Sequence, residues 1–173
     1  MIPFTEQARD YATYHQHTLT RLTHMAGIPF LVLSMMILLG FVHVTIPGIL
    51  SIDLADIVTF VLLIYYFRLN WRLALVLTPI LIVFLWVANL FSHAGPDEFS
   101  LWAFLILFLL GGILVLIGCF IEGMHPGIKT HLKQTLVAPM FLMAEVFFMA
   151  GRMKKLEDEI HGNEPVVFIT DEK

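Results

Sequence analysis

Charge is what this chain has least of. Only 14% of its 173 residues are Asp, Glu, Lys or Arg, while 58% belong to the hydrophobic set. A soluble domain carries about 25% charged residues, and 14 acids with 10 bases are too few to cover a folded chain of this length. That excludes an ordinary water-soluble globule, and the aromatic and aliphatic excess excludes disorder. Cysteine is almost missing: Cys119 stands alone, so there is no intrachain disulfide and no CxxC zinc or redox motif. A basic field is missing too. The formal charge of −4 predicts no nucleic-acid partner. No signal peptide is expected, because the first 26 residues are polar and mixed in charge and the next apolar run is too long for an h-region. Internal repeats and low-complexity linkers are also absent.

Long apolar runs fill the space. From Gly27 to Phe120 the charged residues are Asp53, Asp56, Arg68, Arg72, Asp97 and Glu98. They divide the block into stretches at 29–46, 47–67, 73–91 and 101–121. Each comes near the roughly 20 residues that cross a hydrocarbon core, provided Asp53 and Asp56 sit at the wet end of the second. Pro79 is expected to kink the third. Gly111, Gly112 and Gly118 offer close helix contact in the fourth. The fifth stretch, 136–150, is short and carries Pro139 and Glu145. Gly27 and Pro29 read as punctuation before the first span. Trp71 and Trp102 fit an aromatic belt, and Trp86 is expected to pack.

Basic residues set the expected orientation, because positive charge stays in the cytoplasm. Arg9, Arg21, Arg68, Arg72, Lys129 and Lys133 fall on one side if four stretches cross, and the opposite loops carry Asp97 and Glu98 without a base. Arg152, Lys154, Lys155 and Lys173 keep that pattern only if the fifth stretch does not cross. The expected fold is an all-α integral membrane protein. It has four transmembrane helices, an N-terminal interfacial helix and a fifth re-entrant or interfacial helix, with a five-span arrangement as the alternative. Residues 1–150 form one polytopic domain and 151–173 a charged cytoplasmic tail. Both termini are cytoplasmic, and the setting is a bacterial inner membrane or an endoplasmic-reticulum membrane.

This topology sorts the eight histidines. His43 and His93 fall toward the outer face. His15, His17, His24, His125, His131 and His161 collect at the inner face with Glu122 and Glu145. Two readings fit: a metal site, or belt residues tolerated at an interface. Helix geometry restricts the first. His17 and His24 lie on one face but about 10 Å apart along a straight axis, and His15 and His24 lie on opposite sides. Neither pair shares an ion unless the helix breaks, and Thr18-Leu19-Thr20 supplies residues that cap well and propagate poorly. Glu122 and His125, three apart, share a face. Glu145, inside an apolar stretch, needs a partner: a histidine N–H or water.

The N-terminal block resembles the opening motif of the 2-hydroxy fatty acid dioxygenase family, small membrane proteins whose characterised yeast member acts in fatty-acid α-oxidation. The residues are Tyr11, Tyr14, His15, then His24, then Gly27-Ile28-Pro29. Glu122-Gly123-Met124-His125-Pro126 resembles the family's Glu-x-x-x-Pro, and Ala138-Pro139 with Glu145 resembles its Ala-Pro…Glu ending. The resemblance covers nearly the whole chain. Two positions depart from it. Thr20 stands where the family has Asn, and Gly118 stands where it has a histidine four residues before the glutamate.

The resemblance implies an Fe(II)- and O₂-dependent enzyme that shortens a long-chain 2-hydroxy fatty acid by one carbon and releases carbon dioxide. It implies His15, His24 and Glu122 as catalytic metal ligands; for the histidine missing at Gly118, His17, His125 or His131 takes its place as a further ligand, or the metal site is altered. Imidazole and carboxylate suit iron. Arg21 or Lys129 could pair with the substrate carboxylate, and the acyl tail, at about 0.8 kcal/mol per buried CH₂, stays in membrane lipid. Other readings are a zinc-dependent membrane lipid hydrolase, a b-type haem protein, and a catalytically altered relative with a lipid-binding or structural role.

Overall fold

The computed structural model describes residues 4–13, 18–46, 50–93, 95–121 and 128–161, with the backbone alone at 10, 11, 13, 18, 45, 46, 50, 51, 128–135 and 161. Among these residues, seven helices and one hairpin run in the order α1 (Phe4–Thr13), α2 (Thr18–Gly40), β1 (His43–Ile46), β2 (Leu50–Asp53), α3 (Leu54–Leu69), α4 (Trp71–Ser92), α5 (Glu98–Ile121), α6 (Ile128–Met149) and α7 (Lys154–His161). Stretches within α2, α4 and α5 are long and apolar enough to cross a membrane, at Leu19–Gly40, Trp71–Ser92 and Glu98–Ile121. The chain forms two compact units. One is built from Met1–Ala26 with Leu114–Lys173 and the other from Gly27–Ile113, so α2 and α5 contribute to both.

The fold is overwhelmingly helical, as expected, and three local expectations need correction. First, one strand pair interrupts the run of helices among the described residues. The segment expected to end the first span and begin the second holds an antiparallel hairpin, with His43 opposite Asp53 and Ile46 opposite Leu50. Val44, Thr45, Ile46 and Ile52 are β-branched, a type that favours extended backbone. The hairpin shortens the helix after it. α3 has 16 residues, about 24 Å of helix against a hydrocarbon core of about 30 Å. Second, Gly27 and Pro29 do not stop a helix, and α2 runs through them from Thr18. With apolar sequence on both sides, a continuous helix keeps most backbone groups paired where water is scarce, and a lone proline is tolerated. Third, Trp86 is 64% exposed. The buried stripe of α4 runs through Leu73, Ala74, Leu77, Leu81 and Ala88, and helical periodicity turns Trp86 away from it.

In the unit Gly27–Ile113, α3 and α4 are packed neighbours joined by Asn70. The Asn70 N–H donates to the Tyr66 carbonyl at 3.0 Å, closing the last turn of α3. Its side-chain Oδ1 accepts from Arg72 N–H at 3.2 Å and Leu73 N–H at 3.4 Å, capping α4. One asparagine therefore satisfies backbone groups of two helices. Arg68 and Arg72 flank this joint, and Asp53 and Asp56 begin α3 at its other end. There Asp53 N–H donates to Asp56 Oδ2 at 3.1 Å, and His43 Nε2 lies 3.5 Å from Asp53 Oδ1. Asp97 precedes α5 and accepts the Ser100 N–H at 2.9 Å. Hydrogen bonds from the side chain and backbone of Ser100 hold its carboxyl below the usual range.

In the other unit, α1 buries Phe4, Ala8 and Ala12, a single stripe at four-residue spacing, and packs on α6 and α7. Arg9 Nη2 donates to the Glu159 carbonyl at 2.6 Å. α6 is longer than its apolar part, because the polar run from Ile128 joins the apolar segment Leu136–Met149. It ends in a Schellman motif. Arg152 N–H reaches the Phe147 carbonyl at 2.9 Å and Gly151 N–H reaches the Phe148 carbonyl at 2.8 Å. Gly151 takes φ +68°, a conformation glycine adopts without cost.

Gly111 and Gly112 make a matched test of packing. A Cβ at Gly111 would lie 2.8 Å from the Gly27 carbonyl oxygen and 2.9 Å from Leu31 N, whereas one at Gly112 meets nothing within 4 Å. Gly111→Ala is expected to destabilise by about 1–3 kcal/mol, the usual cost of overpacking, and Gly112→Ala to stabilise by up to about 1 kcal/mol through helix propensity. Thermal unfolding in detergent, monitored by helical circular dichroism, checks both.

Candidate metal and substrate site

The first turns of α2 carry the described part of the site. Thr20 is fully buried and its hydroxyl donates to the Gly118 carbonyl of α5 at 3.3 Å. Its own carbonyl receives two side chains of the same helix, Thr23 Oγ1 at 2.9 Å and His24 Nδ1 at 2.9 Å. A carbonyl only accepts, so His24 Nδ1 carries the proton of this hydrogen bond. In the neutral ring Nε2 is then the nitrogen with the lone pair. A hydrogen bond from one nitrogen that fixes the tautomer of the other is the usual arrangement of a metal-binding imidazole.

His24 is only 6% exposed, and the reason is Gly118. A Cβ there would fall 2.5 Å from His24 Cε1, 2.6 Å from its Nδ1 and 2.6 Å from Thr23 Oγ1. The imidazole occupies the space that any side chain at 118 would need. The two departures from the family pattern thus meet in one place: Thr20 bonds to the backbone of Gly118, and Gly118 admits the ring of His24.

One turn before His24, Arg21 Nη1 lies 3.3 Å from Glu145 Oε2 of α6, with the two side chains 19% and 8% exposed. An isolated carboxylate among apolar residues is costly, so Glu145 needs a partner. That partner is Arg21, which sequence alone suggests only for the substrate carboxylate. The clue is a buried acid on one helix and a cation near the start of another. Nothing in their spacing joins residues 124 positions apart.

Of the expected site residues, the structure describes the side chains of His24 and Arg21, and it brings Thr20, Gly118 and Glu145 around them. Lys129 and His131 lie on α6 with backbone alone described, and His161 ends α7 in the same way. His15, His17, Glu122 and His125 lie outside the described residues, as does Tyr14. Among the described residues no three His, Cys, Asp or Glu side chains come together as a metal-holding group. His24 is therefore the one described candidate ligand that can be tested against a metal, and its tautomer and burial fit that role.

The long apolar helices are compatible with a helical membrane protein, and this one carries a buried, tautomerically fixed histidine against a helix glycine. A family model described as "2-hydroxy-palmitic acid dioxygenase Mpo1-like" matches residues 1–150. The chain belongs to this Mpo1-like family. No curated protein matches it, and no solved structure does.

The contact at Gly118 is directly testable. Gly118→Ala should force the His24 ring out of its seat and lower stability by about 1–3 kcal/mol. Thermal unfolding would show it, and an unchanged midpoint would mean that the imidazole does not rest there.

Proposed function

We propose that the protein is an Fe(II)- and O₂-dependent dioxygenase of long-chain 2-hydroxy fatty acids. One turnover combines the 2-hydroxy acid with O₂ and yields the acid one carbon shorter, carbon dioxide and water, a balance that closes without another reductant. Family membership supports the reaction class and the substrate class. The observation that carries the site is His24, buried and with Nδ1 donating to Thr20.

His24 would hold the iron through Nε2, with His15, His17, Glu122 and His125 drawn from for the remaining ligands. Fe(II) held by imidazole and carboxylate with open positions supplies O₂ chemistry. The chain's own contribution is to fix the His24 tautomer, to exclude water around that ring, and to set a cation, Arg21 or Lys129, near the acid head group. Membrane lipid holds the acyl tail. We place both termini and the site on the cytoplasmic side of a bacterial inner or endoplasmic-reticulum membrane. The separation of Arg68 and Arg72 from Asp53 and Asp56 along α3 and α4 supports that orientation.

Gly118 favours a second reading, a catalytically altered relative that binds lipid, because the family's histidine is missing where His24 is seated. Protein purified anaerobically, loaded with Fe(II) and given a 2-hydroxy fatty acid and O₂ should yield the acid one carbon shorter. His15→Ala, His24→Ala and Glu122→Ala should each lower turnover at least a hundredfold. Full turnover in all three would discard the ligand set. Absence of both iron and product in the native protein would leave the lipid-binding relative, and zinc-dependent hydrolysis without O₂ consumption would point to a membrane hydrolase.

A further inference from the structure

We infer that His43 and Asp53 form a pH-sensitive clip at the open end of the hairpin, closed when the His43 ring is protonated and loosened when it is neutral. The clip lies in the unit Gly27–Ile113, away from His24, and needs nothing from the proposed iron chemistry.

The geometry around the ring carries the inference. His43 Nδ1 lies 3.2 Å from the Phe41 carbonyl oxygen, and Nε2 lies 3.5 Å from Asp53 Oδ1. Both neighbours are acceptors, because a carbonyl never donates and an ionised carboxylate accepts only. A neutral imidazole has one N–H and one lone pair. In either neutral tautomer a lone pair therefore faces an oxygen. The imidazolium meets both oxygens with protons, and its charge opposes that of Asp53.

The two acceptors belong to the ends of different elements. Phe41 follows α2 directly, and Asp53 ends β2 and is the N-cap residue of α3. His43 and Asp53 are cross-strand partners, and the next link is the Leu54 N–H donating to the Val42 carbonyl at 2.9 Å. The ring thus clips the chain leaving α2 to the chain entering α3. The side chains are 34% and 14% exposed, so protons reach the ring from water, and the pair is worth only what a partly exposed ion pair supplies.

Other titratable groups surround this end. From α3, Asp56 accepts the Asp53 N–H at 3.1 Å and adds negative charge beside the clip. Residues 35–42, at and just past the end of α2, add no titratable side chain. A Cβ on Gly40 would fall on Ser92 Oγ, so α4 ends beside α2 and brings His93, its C-cap. Ser100 Oγ donates to the Phe91 carbonyl, which brings Asp97 and Glu98, at the start of α5, to the same end of α4. His93 is the other group there that titrates in the histidine range, and it serves as a control.

The sign follows from the contacts. Histidine titrates between about pH 5 and 8, where ordinary carboxylates are ionised. The clip's contribution is present on the acid side of that range and is lost as pH rises through it.

The test is hydrogen exchange of the Leu54 amide, followed by NMR on protein in nanodiscs between pH 5.5 and 8 and corrected for intrinsic exchange. Native protection should be about twofold to fivefold greater at pH 5.5 than at pH 8, the worth of such a pair. The Asn70 amide, at the far end of α3, is the internal reference. His43→Gln should remove the pH dependence, with His43→Asn in its place if that variant does not fold. Asp53→Asn, which keeps a good N-cap, should remove it too, and His93→Gln should leave it intact. Native protection that is level across this range, or that rises with pH, would overturn the clip. Dependence that survives in the His43 and Asp53 variants, or that disappears in His93→Gln, would place the sensor elsewhere and overturn it as well.

Discussion

The seat of His24 against Gly118 is the contact on which the functional reading turns. It is a steric fact first: no side chain at 118 fits while the ring is there. Its chemical meaning comes from the Thr20 carbonyl. Packed between a glycine and that carbonyl, the imidazole has one nitrogen committed to the backbone of its own helix and the other in the form that ligates. Thr20 adds a hydrogen bond to the backbone of Gly118, so one residue sets both the helix approach and the tautomer. A chain with few polar side chains in its apolar part uses its backbone carbonyls in this way because little else there accepts a proton.

Arg21 and Glu145 answer a related problem. Charge is scarce in this sequence, and an acid inside the apolar part of α6 would be expensive alone. Pairing it with a cation one turn from His24 puts a charged group of each sign beside a buried imidazole.

Much of the helical layout is legible in the sequence because apolar runs broken by charges have few other structures open to them. The stretch 73–91 forms α4 almost unchanged, and 101–121 forms α5 with one added turn at its start. Legibility fails where length alone is used. The stretch 47–67 looks long enough to cross, yet the β-branched residues around Pro47-Gly48 form strands instead, and hydropathy does not separate the two. Gly27 and Pro29 mislead for a related reason: rules for breaking helices come from chains that can exchange helix for water. The meeting of Thr20 with Gly118, and of Arg21 with Glu145, is not legible, because helix-to-helix register has no signature in a single chain's spacing. The histidine cluster remains a reading of sequence and family, since only His24 among the proposed ligands has a described side chain.

Asn70 has a further implication. Because the same residue closes α3 and opens α4, the joint between those helices has no slack. Lengthening it by one residue would separate the carbonyl that the Asn70 backbone satisfies from the amides that its side chain satisfies. The two helices are thereby coupled in rotation as well as in depth. Arg68 and Arg72 stand on either side of that joint.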